Sequence, residues 1–286
     1  MISILQAVVI GLVQGLTELF PISSLGHSVI IPSLLGWNIH QNDPYFLTFL
    51  VATHLATAVV LLGFFWHDWV GIVKGLARSF VAREIRADDT QAKLGWLLVL
   101  ASVPAGILGL LFEEPLRSLF ASARIAAGFL VLNGAILYAA EKLRKRANRR
   151  QSLAQSDANI ASLRWRQALG IGMAQAGALF PGISRSGASM ASGLVAGLNN
   201  EDAARFSFLL ATPIIGAAAL LKIPGLFQSS AAPIRTPIII GAICAGLTAF
   251  LSVRFLVKYF QTKTLVPFAA YCLAAGVLSS AYLMIR

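Results

Sequence analysis

Two charged side chains of this 286-residue chain fall inside stretches that are otherwise apolar. Among its twelve Asp and Glu residues only Glu18 lies within an apolar element, and among its Lys and Arg residues only Arg185 lies at the break of an apolar segment. A charge inside a lipid bilayer costs about 2.5 kcal/mol or more, so both residues are candidates for function. A purely structural ion pair between Glu18 and Arg185 is the alternative interpretation.

Further polar residues cluster around Glu18. Gln14 lies four residues before it, so the two side chains share one helix face. Ser23, Ser24 and His27 follow after a break that contains proline, and Ser24 and His27 share a face if a helix restarts there. The sequence therefore places a carboxylate, an amide, two hydroxyls and an imidazole within one short apolar region.

The second cluster surrounds Arg185. It consists of Ser184, Arg185, Ser186 and Ser189, with glycines between them that expose backbone N–H groups. An arginine beside serines at a helix N-terminus makes an anion site, because the guanidinium, the hydroxyl donors and the helix dipole converge. Phosphate is the natural ligand of such a site.

Composition indicates which elements must position these residues. The hydrophobic residues make up 57% of the chain, the charged residues only 12%, and the mean hydropathy is +0.75. A soluble domain carries roughly a quarter charged residues, so a soluble enzyme, a disordered chain and a disulfide scaffold are excluded. The sequence predicts a polytopic α-helical membrane protein.

The net charge of the chain, +11, comes from basic residues that lie between the apolar spans. This distribution is typical of cytoplasmic loops and does not indicate nucleic-acid binding.

Six stretches are long and apolar enough to span a bilayer, and two more are interrupted. The spans are predicted over residues 48–66, 95–112, 125–140, 206–221, 236–253 and 264–284. The interrupted regions, 2–36 and 167–198, are predicted to be re-entrant hairpins, because each half is too short to cross unaided. Non-helical backbone at membrane depth is tolerated only when it is buried in protein or lines a wet cavity. His54 lies within the first span, and we expect it to pack there.

The two interrupted regions resemble each other. Gln6-Ala7…Gly11…Gln14 recurs as Gln167-Ala168…Gly172…Gln175, and Leu19-Phe20-Pro21 recurs as Leu179-Phe180-Pro181. The chain is predicted to be one membrane domain, 1–286, with repeat one over about 1–140, a basic loop over about 141–166 and repeat two over about 167–286. Three crossings between the copies invert the second one, and inverted repeats place a binding site near the midplane.

Loop charges set the expected orientation. Basic residues are concentrated in residues 67–94 and 141–166, which are predicted to be cytoplasmic loops. The turn at Glu113-Glu114-Pro115 is poor in basic residues and is expected to face outward. The first hairpin then enters from the outer face and the second from the cytoplasm.

Three motifs resemble the bacterial undecaprenyl-diphosphate phosphatase family, the bacitracin-resistance proteins. They are Gln14-Gly15-Leu16-Thr17-Glu18, Pro21-Ile22-Ser23-Ser24-Leu25-Gly26-His27 and Pro181-Gly182-Ile183-Ser184-Arg185-Ser186-Gly187-Ala188-Ser189. The family patterns are Glu/Gln-x-x-x-Glu, Ser-Ser-x-Gly-His and Pro-Gly-x-Ser-Arg-Ser-x-x-Thr. Residues 201–213 resemble the family as well, so the match covers both repeats and nearly the whole chain.

The resemblance implies a hydrolase that removes the terminal phosphate of undecaprenyl diphosphate and so recycles the lipid carrier of cell-wall synthesis. It implies a divalent metal, Mg²⁺ or Ca²⁺, and an inner-membrane location with the active site opening to the periplasmic side. The implied partners are the polyprenyl diphosphate and membrane lipids, and a homodimer is left open.

The resemblance also implies roles for individual residues. Gln14 and Glu18 take the metal-associated positions, Ser24 and His27 the catalytic serine and histidine, and Ser184 and Arg185 the phosphate-binding pair. The hydroxyls of Ser23, Ser186 and Ser189 are expected to join the phosphate contacts. Two residues depart from the common pattern: Gln14 replaces a carboxylate found in many relatives, and Ser189 stands in place of threonine.

The mechanism expected from these roles is phosphoryl transfer. Ser24 attacks the terminal phosphorus with His27 as general base and later acid, while Glu18 and Arg185 stabilise the diphosphate. His27 as the nucleophile is an alternative. A transporter or flippase for polyprenyl phosphate is the second functional hypothesis, because inverted repeats with broken helices are also transporter architecture. A structural scaffold would leave the deep charges unexplained.

Overall fold

The computed structural model describes residues 2–37, 39, 43–112, 122–147, 156–222 and 235–285. These residues form twelve α-helices and one short 3₁₀ turn, with no strand among them. The helices are α1 (Ile4–Leu19), α2 (Ser24–Leu34), α3 (Pro44–Phe64), α4 (Trp66–Ala82), α5 (Thr90–Leu111), α6 (Ala123–Ala147), α7 (Ser156–Ala161), α8 (Trp165–Ala176), α9 (Arg185–Val195), α10 (Asn200–Lys222), α11 (Arg235–Phe260) and α12 (Val266–Ile285). The predicted turn at 113–115 lies outside the described residues, as do residues 148–155 of the predicted basic loop.

Five of the helices are long and apolar enough to cross a membrane. They contain Tyr45–Phe64, Thr90–Leu111, Ala123–Arg144, Arg235–Phe260 and Val266–Ile285. Five of the six predicted spans match them to within two residues beyond a helix end, and the sixth, 206–221, falls within α10, whose first turn is acidic. The described part of the chain is thus all-helical, and the chain is a polytopic membrane protein, as its composition predicts.

Both interrupted regions break where the sequence predicts. Helix α1 ends at Leu19, and α2 starts at Ser24 after the cap residue Ser23, whose hydroxyl accepts the Gly26 N–H and whose φ is 71°. In the second region the 3₁₀ turn Gly177–Leu179 follows α8, and Ser184 caps α9 in the same way. The four helices have 16, 11, 12 and 11 residues, which is shorter than the roughly 20 that a crossing needs.

The segment predicted as a cytoplasmic loop over 67–94 is mostly helical. Helix α4 buries Ile72, Gly75 and Ser79 and packs that face on the start of α5. Its polar residues at 67, 74 and 78 lie on one side, whereas Asp68 lies on the packed side and contacts Arg205, so the frequency of charged residues resembles a loop although their spacing fits a helix. The loop prediction was wrong for residues 67–82.

Glu141 is a second deep acid, which corrects the prediction that Glu18 is alone. Its side chain on α6 is fully buried and accepts hydrogen bonds from Arg144 Nη2 at 2.8 Å, Asn200 Nδ2 at 3.0 Å and the Leu265 N–H at 3.2 Å. Two of these donors lie more than 50 residues away, so the sequence around Glu141 gives no sign of them. A buried carboxylate with three donors is stable where it is and needs no functional partner.

Glycines let the interrupted helices approach their neighbours closely. Gly11 of α1 faces the backbone of Gly241 on α11, and Gly172 of α8 faces the backbone of Ala101 on α5. Each interrupted helix therefore lies against a long helix of the opposite half of the chain. This packing holds the two breaks in the interior of the bundle.

Replacing Gly172 by alanine is expected to destabilise the fold. The added Cβ would lie 2.9 Å from Cα of Ala101, and overpacking of this kind costs about 1–3 kcal/mol. Gly170 is the matched control, because a Cβ there meets nothing within 4 Å among the described residues, and alanine favours the helix by about 1 kcal/mol. Thermal unfolding in one detergent measures both variants, and equal unfolding temperatures would contradict the packing described here.

Candidate active site

The two breaks meet in the middle of the bundle. Ser23 Oγ donates to the Ile183 carbonyl at 3.2 Å, and Ser186 Oγ donates to the Phe20 carbonyl at 3.2 Å. Asn133 of α6 joins them, since its Nδ2 donates to the Pro21 carbonyl at 3.0 Å and its Oδ1 accepts the Ser184 N–H at 3.0 Å. Sequence analysis missed Asn133, which lies inside an apolar span far from both motifs.

Glu18 and Arg185 are in direct contact. Oε1 of Glu18 lies 3.0 Å from Nη2 and 3.4 Å from Nε of Arg185, and both side chains are largely buried. The remaining guanidinium nitrogen, Nη1, is buried and has no hydrogen-bond partner among the described residues. One edge of Arg185 therefore holds Glu18, while Nη1 is free for an anion.

The second oxygen of Glu18 faces three more groups. Ser24 Oγ donates to Oε2 at 2.5 Å, Gln14 Nε2 donates to it at 3.1 Å, and His54 Nε2 lies 3.3 Å away. Ser24 makes the shortest of these contacts. A carboxylate this close to a hydroxyl can accept its proton.

His54 corrects the expectation that it only packs. It projects from α3, its Nδ1 bonds to the Leu50 carbonyl at 2.7 Å, and its Nε2 points at Glu18. The only signal in the sequence was a polar side chain inside an apolar span. Its partner is 36 positions away and becomes its neighbour only when α3 packs beside α1.

His27 does not pair with Ser24, which corrects the expected general-base arrangement. Its Nδ1 bonds to the Ser23 carbonyl at 2.7 Å, and its Nε2 bonds to the Tyr271 hydroxyl at 2.8 Å. The ring also stacks on Tyr271. Ser24 and His27 do share the first turn of α2, but that turn directs Ser24 toward α1 and His27 toward α12.

A cavity of about 170 Å³ opens between the two breaks. Its polar lining consists of Glu18, Ser23, Ser24, His54, Gln175, Ser184 and Arg185. Pockets that enclose drug-sized ligands measure about 300–1,000 Å³, so this one suits a head group whose chain stays outside. Most of the predicted site residues therefore surround a single hollow.

Gln175 is an orphaned polar group in this cavity. Its side chain is 2% exposed, and neither its Nε2 nor its Oε1 has a hydrogen-bond partner in the described part of the chain. Buried polar groups without partners are rare and costly in native proteins. Gln175 therefore has both a donor and an acceptor available for a polar ligand.

The serines of the second break divide into two groups. Ser184 lines the cavity at the N-terminus of α9, where helix N–H groups favour an anion. Ser186 contacts the carbonyls of Glu18 and Phe20, and Ser189 contacts Ser207 Oγ at 2.7 Å. The hydroxyls of Ser186 and Ser189 are thus used in packing the break, which corrects their expected place at the phosphate.

The residues at the predicted metal position offer two oxygen types. Glu18 supplies a carboxylate, and Gln14 Oε1 is a buried acceptor without a partner among the described residues. In the same part of the chain no group of three or more His, Cys, Asp or Glu residues forms a metal cluster. The set fits Mg²⁺ or Ca²⁺ when substrate phosphates supply the remaining ligands.

Comparison with known proteins identifies the family. The family model described as bacitracin resistance protein BacA matches residues 7–278. The chain belongs to the BacA family. A relative from Mycolicibacterium paratuberculosis, named undecaprenyl-diphosphatase, is 46% identical over 304 residues, which cover 100% of this chain and 99% of the relative.

Two further relatives carry related names. The undecaprenyl-diphosphatase 2 of Frankia alni is 44% identical, with 96% of each chain covered. The undecaprenyl-diphosphatase of Acidiphilium cryptum is also 44% identical, again with 96% of each chain covered. The similarity of this BacA-family chain to them extends over nearly its full length.

Proposed function

We propose that this chain hydrolyses undecaprenyl diphosphate to undecaprenyl phosphate and inorganic phosphate, which returns the lipid carrier to cell-wall synthesis. The names of its full-length relatives support this activity. The observation that carries it is the cavity in which the Ser24–Glu18 hydrogen bond of 2.5 Å lies beside Arg185. This cavity is therefore lined by a nucleophile, a base and an anion site.

Ser24 is the nucleophile in this mechanism. Its hydroxyl passes the proton to Oε2 of Glu18 while Oγ attacks the terminal phosphorus, and the lipid monophosphate leaves. Glu18 passes this proton to the departing lipid monophosphate. Water then attacks the phosphoserine while giving a proton to Glu18, and Glu18 returns that proton to Ser24 Oγ as the phosphorus–oxygen bond breaks and inorganic phosphate leaves. Glu18 replaces His27 as the base, because both nitrogens of His27 are engaged elsewhere.

The anion site stabilises the transferred phosphoryl group. Arg185 offers Nη1, Gln175 offers an amide donor, and the N-terminus of α9 at Ser184 faces the cavity, while the Ser184 hydroxyl itself bonds to Ser186 Oγ at 3.0 Å. Such donors act most strongly in a site from which water is excluded. Phosphoryl transfer depends mainly on positioning and charge stabilisation of this kind.

A divalent metal, Mg²⁺ or Ca²⁺, completes the proposal. Glu18 and Gln14 would hold it, and when bound it neutralises charge on the diphosphate oxygens. With so few protein ligands, its affinity should depend on the presence of a diphosphate. The chain's own residues still supply the nucleophile, the base and the arginine.

The architecture we propose is a pair of inverted repeats in the bacterial inner membrane. It is supported by the matched glycines Gly11 and Gly172, each of which faces a long helix of the other half. The basic segments around α4 and after α6 favour the cytoplasm, and we propose that the cavity opens to the opposite, periplasmic side. A homodimer stays a prediction.

Phosphate release tests the proposed function directly. Purified protein in detergent should release inorganic phosphate from undecaprenyl diphosphate, should stop when the metal is chelated and should recover with Mg²⁺ or Ca²⁺. A polyprenyl-phosphate transporter would bind the lipid without cleaving it. Folded, metal-supplied protein that binds the diphosphate and releases no phosphate would contradict the phosphatase and favour the transporter.

His54 and His27 are expected to differ sharply when replaced. His54→Leu removes a contact to Glu18 and should lower kcat roughly 100-fold, whereas His54→Gln keeps an N–H donor and should stay within about tenfold of wild type. His27→Gln should also stay within about tenfold, because its side chain faces Tyr271. Phosphate release per folded protein measures all three, and a larger loss for His27→Gln than for His54→Leu would restore His27 as the base.

Gln175→Met is expected to weaken substrate binding without destabilising the protein. Methionine has a similar shape but cannot form the hydrogen bonds to phosphate, so KM should rise about tenfold. Because both polar atoms of Gln175 are orphaned in the free protein, its unfolding temperature should stay equal or rise. A drop in unfolding temperature with an unchanged KM would show that Gln175 is only structural.

A further inference from the structure

Helix α4 has an apolar stripe that the rest of the described chain leaves uncovered. Trp66, Val73 and Phe80 repeat every seven residues, and Val81 lies beside them. Phe80 is 76% exposed and Val81 is 83% exposed. The opposite face of α4 packs on α5 through Gly75, which approaches the Ala92 backbone. A helix with this pattern lies in the membrane interface with its apolar face toward the acyl chains.

A groove of about 910 Å³ lies at the C-terminal end of this stripe. Its walls include the aromatic rings of Phe80, Trp96 and Trp165. Tryptophan is enriched at the level of the lipid head groups. The groove therefore lies at the depth where head groups meet acyl chains, on the side of the membrane that carries the basic segments.

The groove is basic. Arg83, Arg86 and Lys93 line it, with Glu84 as its one acid among the lining residues. Within the described part of the chain neither Arg83 nor Lys93 has a hydrogen-bond or ion-pair partner, and Arg86 has only a loose 3.8 Å contact with Glu84. These three cations are available to a ligand.

Two more acids, Asp88 and Asp89, directly follow the lining residue Ala87, and Asp89 is already engaged. Asp89 forms a bidentate pair with Arg78 and caps α5 by accepting the Ala92 N–H at 3.0 Å. The Ala92 N–H and Arg78 together hold the pKa of Asp89 below its usual value. The hydrogen bonds of Asp89 are therefore directed at Arg78 and at the start of α5, and the three basic lining residues outnumber the acids Glu84 and Asp88 beside them.

We propose that this groove binds the phosphodiester head group of an anionic phospholipid, whose acyl chains lie along the apolar stripe of α4. Arg83, Arg86 and Lys93 supply the charge complement, and Trp96 and Trp165 supply the interfacial contact. Basic pockets at the cytoplasmic side of membrane proteins bind acidic head groups in this way. The site is separate from the cavity at the two breaks and does not depend on the proposed phosphatase activity.

Lipid binding to the purified full chain tests the proposal. Native mass spectrometry in an uncharged detergent compares added phosphatidylglycerol, which is anionic, with phosphatidylcholine, which is zwitterionic. The variant Arg83→Gln/Arg86→Gln/Lys93→Gln should lose phosphatidylglycerol affinity roughly 100-fold, since each basic residue near an anionic surface contributes about fivefold. Its weak phosphatidylcholine binding should not change.

A matched variant controls for the loss of charge alone. Lys142→Gln/Arg254→Gln/Lys258→Gln removes three exposed cations at the ends of α6 and α11, and it should keep phosphatidylglycerol affinity within about threefold of wild type. Both variants should retain phosphate release in detergent, which shows that they are folded. The proposal would be overturned by an equal loss of phosphatidylglycerol affinity in the two variants or by equal binding of the two lipids. It would also be overturned if inorganic phosphate displaced the lipid at the same concentration.

Discussion

Replacing Ser24 by alanine should lower the rate of phosphate release roughly 10⁴-fold or more. Removal of the nucleophile in a serine enzyme has effects of this size, because the covalent route is lost and only binding remains. In this chain the loss has a specific cause: Ser24 Oγ is the group that lies 2.5 Å from Glu18 in the cavity. Single-turnover assays with a labelled terminal phosphate should trap a phosphoserine on the wild type and none on Ser24→Ala.

Ser28 provides the control for this variant. It lies four residues later on the same helix, its hydroxyl is buried, and it has no hydrogen-bond partner among the described residues. Ser28→Ala therefore removes a hydroxyl from α2 without touching the cavity and should leave turnover unchanged. If Ser24→Ala retained turnover within about tenfold of wild type, the covalent serine mechanism would be excluded.

The second large effect is expected from Arg185. Arg185→Ala should reduce kcat/KM about 10³-fold, which is the size of effect that an arginine has on phosphoryl transfer. The kcat/KM of Arg185→Lys should exceed that of Arg185→Ala by less than about tenfold. A single ammonium cannot hold Glu18 and present a free nitrogen to phosphate at the same time. Steady-state phosphate release measures both variants.

Arg144 allows structural damage to be separated from lost chemistry. Its Nε and Nη2 both donate to Oε1 of the buried Glu141. Arg185 has the same arrangement with Oε1 of Glu18. Arg144→Lys should therefore cost similar stability but retain activity per folded protein. If both lysine variants lost activity to the same extent, Arg185 would be a structural residue, and the ion-pair alternative for Glu18 would be correct.

Much of the fold could be predicted from the sequence because the bilayer restricts the choices. Apolar stretches long enough to cross must be helices, and the runs 21–26 and 181–187, which combine proline, glycine and serine, interrupt them, whereas the single prolines Pro104 and Pro213 stay inside helices. The breaks after Leu19 and before Ser184 follow from local residues, as do the serine caps of α2 and α9. Helix α4 was not predicted, because the number of its polar residues was considered and their helical spacing was not.

The candidate site was predicted in part. Glu18 and Arg185 were found because a charge at membrane depth is energetically costly and therefore indicates a functional site. Gln175 was visible only as the repeat counterpart of Gln14, and its missing hydrogen bonds appear only in three dimensions. The opposite directions of Ser24 and His27 could not be predicted, because they depend on where α1 and α12 pack against α2.

The sequence by itself determined that this chain is a helical membrane protein with two broken segments, one deep carboxylate motif and one arginine–serine motif. Hydropathy, helix breakers and caps act over a few residues, so they can be derived without knowing the neighbours. Only the tertiary structure decided that His54 contacts Glu18, that Asn133 joins the breaks and that Glu141 accepts hydrogen bonds from Asn200 and the Leu265 N–H. These contacts join residues 36 to 124 positions apart, and helix packing alone brings them within hydrogen-bond distance.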